Sequence, residues 1–322
     1  MSGLPDAHAQ RFKPDMPEVV MHLHMPANPA VGVVVSNEKC TAGKAAAFIR
    51  HIAIDVSGTQ LAGNLRPGQS FGVLAPGTDE RSRPHKVRLY SVASPTGGEG
   101  EKRHIIATTV KRLIAEHRDR PGLFLGVTSN LLCDLRPGDE IRLTGPNGKR
   151  FLVPRNAGEH DYVFLATGTG IAPYRGMVHD LLEAGVQSRI VLVMGSPYRT
   201  DLLYDEHFRS LEREHAGFLY VPTLSRERQQ DGQPPMYVRD RLGRVASDLA
   251  SSFSSGRALV YICGVAGMEL GIFEEMALRL GPADLGGYLE IDPEAMGRIG
   301  RWERRMIHRA VRPTRRIFME VY

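Results

Sequence analysis

The sequence predicts a two-domain protein: an antiparallel β-barrel followed by an α/β domain built on a parallel sheet. Three observations carry this. Between Val31 and about Pro154, short β-prone runs are separated by clusters of turn residues, the texture of a small antiparallel barrel. Beyond residue 160 the apolar runs become compact and lose strict alternation, with helical stretches between them. Such strands belong to parallel sheets covered on both faces. Between the two textures lies Arg155–His160, a polar stretch suited to a linker. A chain of 322 residues is long enough for each part to bury its own core. The expected divisions are a loose arm over 1–30, a first domain over 31–155 and a second over 156–322.

In the first domain Val31–Ser36, Ile105–Val110 and Glu140–Thr144 read as strands. Gly58-Thr, Arg66-Pro-Gly-Gln, Pro95-Thr-Gly-Gly, Arg136-Pro-Gly-Asp and Gly145-Pro-Asn-Gly supply the turns, and some helix is expected around Asn130–Leu132. In the second domain the strands are Tyr162–Ala166, Arg189–Met194, Phe218–Pro222 and Ala258–Cys263. Helices are expected between them at Tyr174–Glu183, Asp205–His215, Arg239–Ser251 and Gly267–Leu280, with a short terminal strand at Arg316–Tyr322. No internal repeat is present. Ligands of such sheets sit at the carboxyl ends of the strands.

Hydrophobic residues make up 42% of the chain and charged residues 24%, ordinary globular values. No apolar run approaches the roughly 20 residues needed to span a bilayer, so no integral membrane association is expected. The first 30 residues lack the contiguous apolar segment of a secretory signal, and Pro5, Pro14, Pro17, Pro26 and Pro29 mark a loose arm instead. Cys40, Cys133 and Cys263 are too few and too scattered for a disulfide framework or a four-thiolate cluster. No metal site is expected, and the expected compartment is a reducing cytoplasm.

The net charge of +5 and a pI near 9.2 point to an acidic partner. The excess is uneven. Residues 298–316 carry Arg298, Arg301, Arg304, Arg305, Arg309, Arg312, Arg315 and Arg316 against Glu303 alone. Nucleic-acid recognition asks for aromatic platforms or a known module beside such charge, and only Trp302 is near. Two readings stay open: a field that steers an acidic protein partner, or an exposed helix with an arginine-rich solvent face.

Four stretches carry chemistry. On a strand, Arg88 and Tyr90 of Arg88-Leu89-Tyr90-Ser91 share one face. An arginine fork binds a pyrophosphate and a tyrosine paves the side of a flat ring, although one Arg and one Tyr also occur on ordinary strands. Gly126-Val127-Thr128-Ser129 opens a helix with Thr128 or Ser129 as cap. Its amides either bind a phosphate or are simply capped. Ala166-Thr-Gly168-Thr169-Gly170-Ile-Ala-Pro173 follows an apolar strand and opens a helix, with glycines that admit a ligand to the backbone. It departs from G-x-G-x-x-G because Pro173 replaces the third glycine, and Met194-Gly-Ser-Pro stands where NAD-binding folds hold an acid. Finally Ser225, Arg226 and Tyr237, just past a strand, suit a 2′-phosphate and an adenine ring, and each alone also suits a solvent-exposed loop.

In order, R-L-Y-S, G-V-x-S-N-x-L-C-D-L, G-T-G-I-A-P, S-R-E, M-Y, C-G-x-x-G-M-E and a terminal E-V-Y resemble the plant-type ferredoxin–NADP⁺ reductases, over roughly nine-tenths of the chain from Val31 onward. The resemblance implies an FAD-binding barrel over 31–155 and an NADP-binding domain over 156–322. It also implies hydride transfer between NADP(H) and flavin N5, coupled to one-electron exchange with a ferredoxin or flavodoxin. Arg88 would hold the FAD pyrophosphate, Tyr90 would stack on the isoalloxazine, and Ser91 would hydrogen-bond near N5. Leu89 belongs to the same contact. Gly126, Val127, Thr128 and Ser129 would meet the pyrophosphate from a helix start, while Thr109, Val110 and Lys111 would flank the FAD ribose and adenine. Lys111 is also a candidate for the NADP phosphates. Thr169, Gly170, Gly264 and Met268 would line the nicotinamide nucleotide, and Ser225, Arg226 and Tyr237 would select NADP(H). Cys263 would sit beside the nicotinamide C4, Glu320 would assist proton movement, and Tyr322 would cover the flavin face that the nicotinamide must occupy, acting as a gate.

Three features depart from the family pattern. Thr128 replaces a cysteine often seen before the serine, and Pro235 stands where a lysine often assists the 2′-phosphate, leaving Arg239 as the substitute charge. The segment Gly286–Arg316 is longer and more arginine-rich than usual, so carrier docking is expected to differ. Rival readings are the reductase component of a benzoyl-CoA epoxidation system, which commonly has an extra iron–sulfur module, and a non-enzymatic flavin redox sensor. A basic nucleic-acid binder comes last.

Overall fold

Side-chain alternation shapes the first sheet. Strand β1 (Ala30–Lys39) buries Ala30, Gly32 and Val34 while Val31, Val33 and Val35 face outward. The computed structural model describes residues 12–117 and 121–322; the first eleven residues of the expected arm lie outside the described residues. Strands β2 (Ile49–Asp55), β3 (Ser70–Leu74), β4 (Arg88–Ser91) and β5 (Ile105–Lys111) follow, then a hairpin of β6 (Ile114–Glu116) and β7 (Leu123–Leu125). Helix α1 (Val127–Asp134) and β8 (Glu140–Asn147) complete this part. The antiparallel order is β4-β3-β8-β1-β2-β5. Past the end of β4, Val92 bridges Thr108, and the Ala93 amide donates to the Ala107 carbonyl at 2.7 Å. The two edge strands are thereby joined and the sheet closes on itself, which removes its open edges. Its core holds Ile52, Ile54, Phe71, Val73, Ile106 and Leu143.

The second sheet is built from β9 (Asp161–Thr167), β10 (Ile190–Ser196), β11 (Phe218–Leu224), β12 (Ala258–Gly264) and β15 (Ile317–Val321). All neighbours are parallel and the order is β11-β10-β9-β12-β15. One set of side chains (Val163, Leu165, Val191, Val193, Val260, Ile262) joins a hydrophobic core that also holds Phe253, Phe273, Tyr288 and Trp302. The alternate residues Tyr162, Phe164 and Tyr261 form an aromatic cluster that Phe318 joins, its ring 4.4 Å from that of Tyr261. Both faces are apolar, so the sequence shows compact runs without alternation.

Helix α2 (Ala172–Glu183) follows the glycine turn after β9, yet it groups with the barrel. One compact unit comprises Pro17–Leu152 and Ala172–Ala184; the other comprises 12–16, Val153–Ile171 and Gly185–Tyr322. Long-range pairs explain the grouping of α2. Arg175 forms a two-pronged pair with Glu99 at 2.6 and 2.8 Å. Burial pushes the Glu99 acid upward, but its bonds to His51 and Arg175 outweigh that and hold it at about 2. Asp180 accepts from the Thr96 amide and hydroxyl at 2.9 and 2.6 Å. A Cβ on Gly176 would lie 2.5 Å from the Ser94 carbonyl, so only glycine permits this approach.

The remaining helices are α3 (Asp205–Glu214), α4 (Val238–Asp248), α5 (Ala250–Ser254) and α6 (Met268–Arg279). Then α7 (Pro282–Gly286), β13 (Leu289–Ile291), α8 (Pro293–Met296), a 3-10 turn over Arg304–Met306 and β14 (Val311–Pro313) lead to β15. The arginine-rich stretch is therefore not an exposed helix. It is a folded excursion with an antiparallel β13–β14 pair, anchored by buried Trp302, whose indole donates to the Ala295 carbonyl at 2.8 Å. Several of its arginines are committed internally: Arg304 to buried Glu269 at 2.8 Å, Arg312 to Asp292 at 3.0 Å, Arg316 to the Gly256 carbonyl at 2.8 Å. Among the described residues no helix is long and apolar enough to cross a membrane.

Candidate functional site

In a doubly wound sheet the ligand crevice lies where the strand order reverses. Here β9 is followed in space by β10 on one side and β12 on the other, so the reversal falls between β9 and β12. The Gly168–Gly170 turn leaves the end of β9, and Cys263-Gly264 ends β12 with Cys263 opposite Ala166. The two ends are packed so closely that side chains are excluded. A Cβ on Gly170 would meet the Cys263 carbonyl at 2.2 Å, and one on Gly264, at φ +144°, would meet Thr167 Oγ1 at 2.1 Å. Thr167, which the sequence reading passed over, is the junction. Its hydroxyl accepts from the Val265 amide at 2.9 Å and lies 3.3 Å from the Met268 sulfur.

The terminal strand completes this set. Parallel pairing places Cys263 opposite Glu320 and Gly264 opposite Val321. The Tyr322 amide donates to the Gly264 carbonyl at 3.0 Å, and the Ala266 amide donates to the Tyr322 carbonyl at 2.9 Å. The last residue is thus held by its backbone, while its ring remains largely exposed. Its hydroxyl lies 2.7 Å from Thr169 Oγ1. Cys263 is fully buried, and burial, reinforced by Glu320, pushes its thiol far above the usual range. A neutral, polarisable thiol serves as a packing surface, not as a nucleophile. Burial also raises the Glu320 carboxyl to about 7, which puts its proton within reach of physiological pH.

At the end of β11, two motifs separated by eight residues, Ser225-Arg226-Glu227 and Met236-Tyr237, meet. The Met236 amide donates to the Leu224 carbonyl at 2.9 Å, and the Gln229 side chain accepts from the Leu224 amide at 3.0 Å and donates to its carbonyl at 2.7 Å. This closes the intervening loop and brings Tyr237 back to the strand end that carries Ser225 and Arg226. The Ser225 and Arg226 amides are tied to the Ser196 and Pro197 carbonyls at 3.0 Å each. The Arg226 side chain and the Tyr237 ring are exposed. The Arg239 guanidinium lies 6.0 Å from the Tyr237 ring centre and 3.7 Å from Asp240, with its stem against Gly271.

The barrel unit carries a separate set. Register on β3 puts Phe71 opposite Tyr90 and Val73 opposite Arg88. Arg88 and Leu89 are exposed, and Arg88 has no ion pair among the described residues. Tyr90 is half-buried against the barrel core, and burial lifts its hydroxyl to about 12. The Ser91 carbonyl accepts from Thr108 Oγ1 at 2.8 Å. Thr109 and Val110 are buried on β5, and only Lys111 presents its side chain to solvent there.

Helix α1 begins at Gly126, which caps it without any side-chain hydrogen bond. Neither Thr128 nor Ser129 is the cap. The Ser129 hydroxyl is used elsewhere, accepting from the Leu113 amide at 3.2 Å and donating to the Gly126 carbonyl at 3.1 Å, while Thr128 is buried. The first-turn amides are thereby left without a side-chain cap, as an anion requires. Beside them Leu113, Ile114, Leu123, Phe124, Leu125 and Val127 are all largely exposed, a surface the sequence reading did not single out. An uncapped helix start, an unpaired arginine, a half-buried aromatic and a bare apolar hairpin together fit a dinucleotide with a large flat ring.

Comparison with known proteins agrees with this division. The family model for an oxidoreductase NAD-binding domain matches residues 164–272. The chain is 34% identical over 276 residues to a ferredoxin–NADP reductase of a Spirulina species, covering 83% of this chain and 92% of the relative. It is also 34% identical to the chloroplastic leaf-type isozyme of that enzyme from Nicotiana tabacum, covering 80% of this chain and 72% of the relative. Among solved structures, the ferredoxin–NADP⁺ reductase of Plasmodium falciparum has a similar fold, with a TM-score of 0.69 at 19% identity over 93% of this chain and 98% of that one.

Proposed function

The chain belongs to the ferredoxin–NADP⁺ reductase family, and from that premise we propose how its own residues carry the reaction. It is an oxidoreductase that uses FAD and NADP(H) and exchanges electrons with ferredoxin; we extend the carrier to flavodoxin. Bound FAD supplies the exchange between a hydride at the nicotinamide and single electrons at the carrier. Arg88 and the uncapped amides of Val127, Thr128 and Ser129, on the helix start that Gly126 opens, hold its pyrophosphate. Tyr90 covers one face of its ring, Ser91 hydrogen-bonds to the ring, and Leu89, Thr109, Val110 and Lys111 flank it. The FAD domain is assigned to 31–155 and the NADP domain to 156–322.

The observation that carries this reading is the register of the terminal strand, which sets Glu320 beside Cys263 and ties the Tyr322 hydroxyl to Thr169. Thr169, Gly170, Gly264 and Met268 line the nicotinamide nucleotide. Buried Cys263 gives the nicotinamide a neutral packing surface, and Tyr322 is the group that yields its place. The three free cysteines suit a reducing cytoplasm. The test is NADPH oxidation by the FAD-loaded protein, first with ferricyanide, then with ferredoxin and flavodoxin from the same source. Reduction of all three is expected. A protein that binds both nucleotides and reduces no acceptor would instead be a redox sensor.

Glu320 gives a pH dependence with a defined sign. Its carboxyl is raised to about 7, so it is protonated below that pH and ionised above it. Passing the two electrons of the NADPH hydride singly to two carrier molecules releases one proton in the net reaction, and the ionised carboxylate is the form able to accept it. The rate should therefore rise as pH passes upward through about 7. Glu320→Gln should flatten that limb and lower the rate above it by about 100-fold, the lower end of the range for general acid–base groups. An unaltered limb in the variant would assign the titration to another group.

A further inference from the structure

We propose that the outer edge of the parallel sheet holds a second binding site, for a small organic anion with an apolar body, separate from the nucleotide site. A cavity of about 360 Å³ lies along β11, with Leu202, Leu219 and Tyr220 in its walls and three arginines, Arg199, Arg209 and Arg241, converging on it. The volume is that of a small-molecule pocket. Asp231 is the one carboxylate in the lining, while just outside it Asp205 pairs with Arg209 and Glu227 accepts from the Arg199 amide.

Arg241 carries the argument. It is only 8% exposed, and its Nε has no hydrogen-bond partner among the described residues. Its Nη2 reaches Gln229 at 3.4 Å, and the Asp231 carboxylate stands 3.8 Å from Nη1 and is about half-exposed. A buried guanidinium is costly unless a close, hydrogen-bonded anion compensates it. The Asp231 ion pair is long and the Gln229 bond neutral, and neither reaches Nε. Arg209 is already engaged by Asp205 at 2.9 Å and Gln230 at 3.1 Å. The Arg199 side chain is exposed and has no ion pair among the described residues. A carboxylate or phosphate between Arg241 and Arg199 would give Nε its acceptor and both guanidinia a close anion, with the apolar walls taking the rest of the molecule.

Two other occupants are disfavoured. An added β-strand needs the outward amides of β11, which are the even-numbered ones because Ser225 bonds back to Ser196. The Tyr220 amide is taken by Glu212 at 3.0 Å, Pro222 has none, and the Leu224 amide is taken by Gln229. The edge is thus blocked against strand addition. The 2′-phosphate of NADP(H) is assigned to Ser225, Arg226 and Tyr237, none of which lines the cavity.

The test uses the holoenzyme with saturating NADP⁺, so that the nucleotide site is filled. Phenyl phosphate, benzoate and phenol are titrated, following binding by calorimetry and thermal stability. Saturable binding of phenyl phosphate, benzoate or both is expected, with none by phenol; which anion binds identifies the head group. Arg241→Met should weaken it by about tenfold or more and Arg199→Ala by several-fold, from the loss of charge-assisted hydrogen bonds. Arg226→Ala should leave it unchanged. Absence of binding by both anions, equal binding by phenol, or affinity unmoved by Arg199→Ala would overturn the proposal, and the last holds even if Arg241→Met does not fold. Loss of binding in Arg226→Ala would also overturn it, by placing the anion at the nucleotide site.

Discussion

Tyr322→Ser should tighten NADP⁺ binding by about 10- to 100-fold and slow turnover. The side chain makes a hydrogen bond to Thr169 at 2.7 Å, and under the proposed gate the nicotinamide displaces it on binding. A hydrogen bond is worth about 0.5–1.5 kcal/mol net, and an aromatic stacking contact about as much again. Removing that competition returns 1–3 kcal/mol, on the order of one to two decades in affinity. The backbone should not suffer, because the Tyr322 amide and carbonyl are bonded to Gly264 and Ala266 whatever the side chain. Slower turnover follows because a nucleotide that binds too well leaves too slowly. Tyr322→Phe keeps the ring and loses only the Thr169 bond, so its affinity should move by less than about tenfold, one hydrogen bond's worth. Equilibrium titration of NADP⁺ on the oxidised holoenzyme decides the matter. Equal affinity in wild type and Tyr322→Ser would remove the gate.

Which parts could be read in the sequence depended on how local their causes are. The strands β9, β10, β11 and β12 were legible because a parallel strand with two buried faces needs a short continuous apolar run, and such runs stand out without periodicity. The helix start at Gly126 was legible, but its cap was not. Ser129 is drawn off by Leu113, sixteen residues earlier, and no local rule records that bond. The allegiance of α2 was hidden for the same reason, since Arg175 finds Glu99 and Asp180 finds Thr96 across the fold. The arginines of 298–316 suggested a helical face by composition alone. Gly297, Gly300 at φ +86° and Pro313 interrupt any long helix, and Trp302 folds the stretch back on Ala295. In the site, Cys263, Glu320 and Tyr322 were recognisable as motifs. Thr167 was not, because its importance comes from the register that sets β9 against β12.

Arg226→Ala should reduce the preference for NADPH over NADH by about 10- to 100-fold. The two cofactors differ only in the 2′-phosphate, so a residue that recognises it changes the ratio of kcat/KM values and leaves NADH kinetics alone. Arg226 is exposed at the end of β11, beside Ser225 and the returning Tyr237, and forms no ion pair among the described residues. A hydrogen bond to a charged group contributes about 1.5–3 kcal/mol, which sets the size of the expected change. Arg239 is the competing candidate, because Pro235 supplies no charge. Its guanidinium lies over Tyr237 but is also 3.7 Å from Asp240, and a cation already shared with a carboxylate has less to offer a phosphate. Arg239→Ala should therefore cost less than Arg226→Ala. Measured NADPH and NADH kinetics on both single variants and the double variant separate the two. If the preference survives in Arg226→Ala and collapses in Arg239→Ala, the phosphate is held from α4 and not from the end of β11. If the two losses exceed or fall short of their sum in the double variant, both arginines meet the same phosphate.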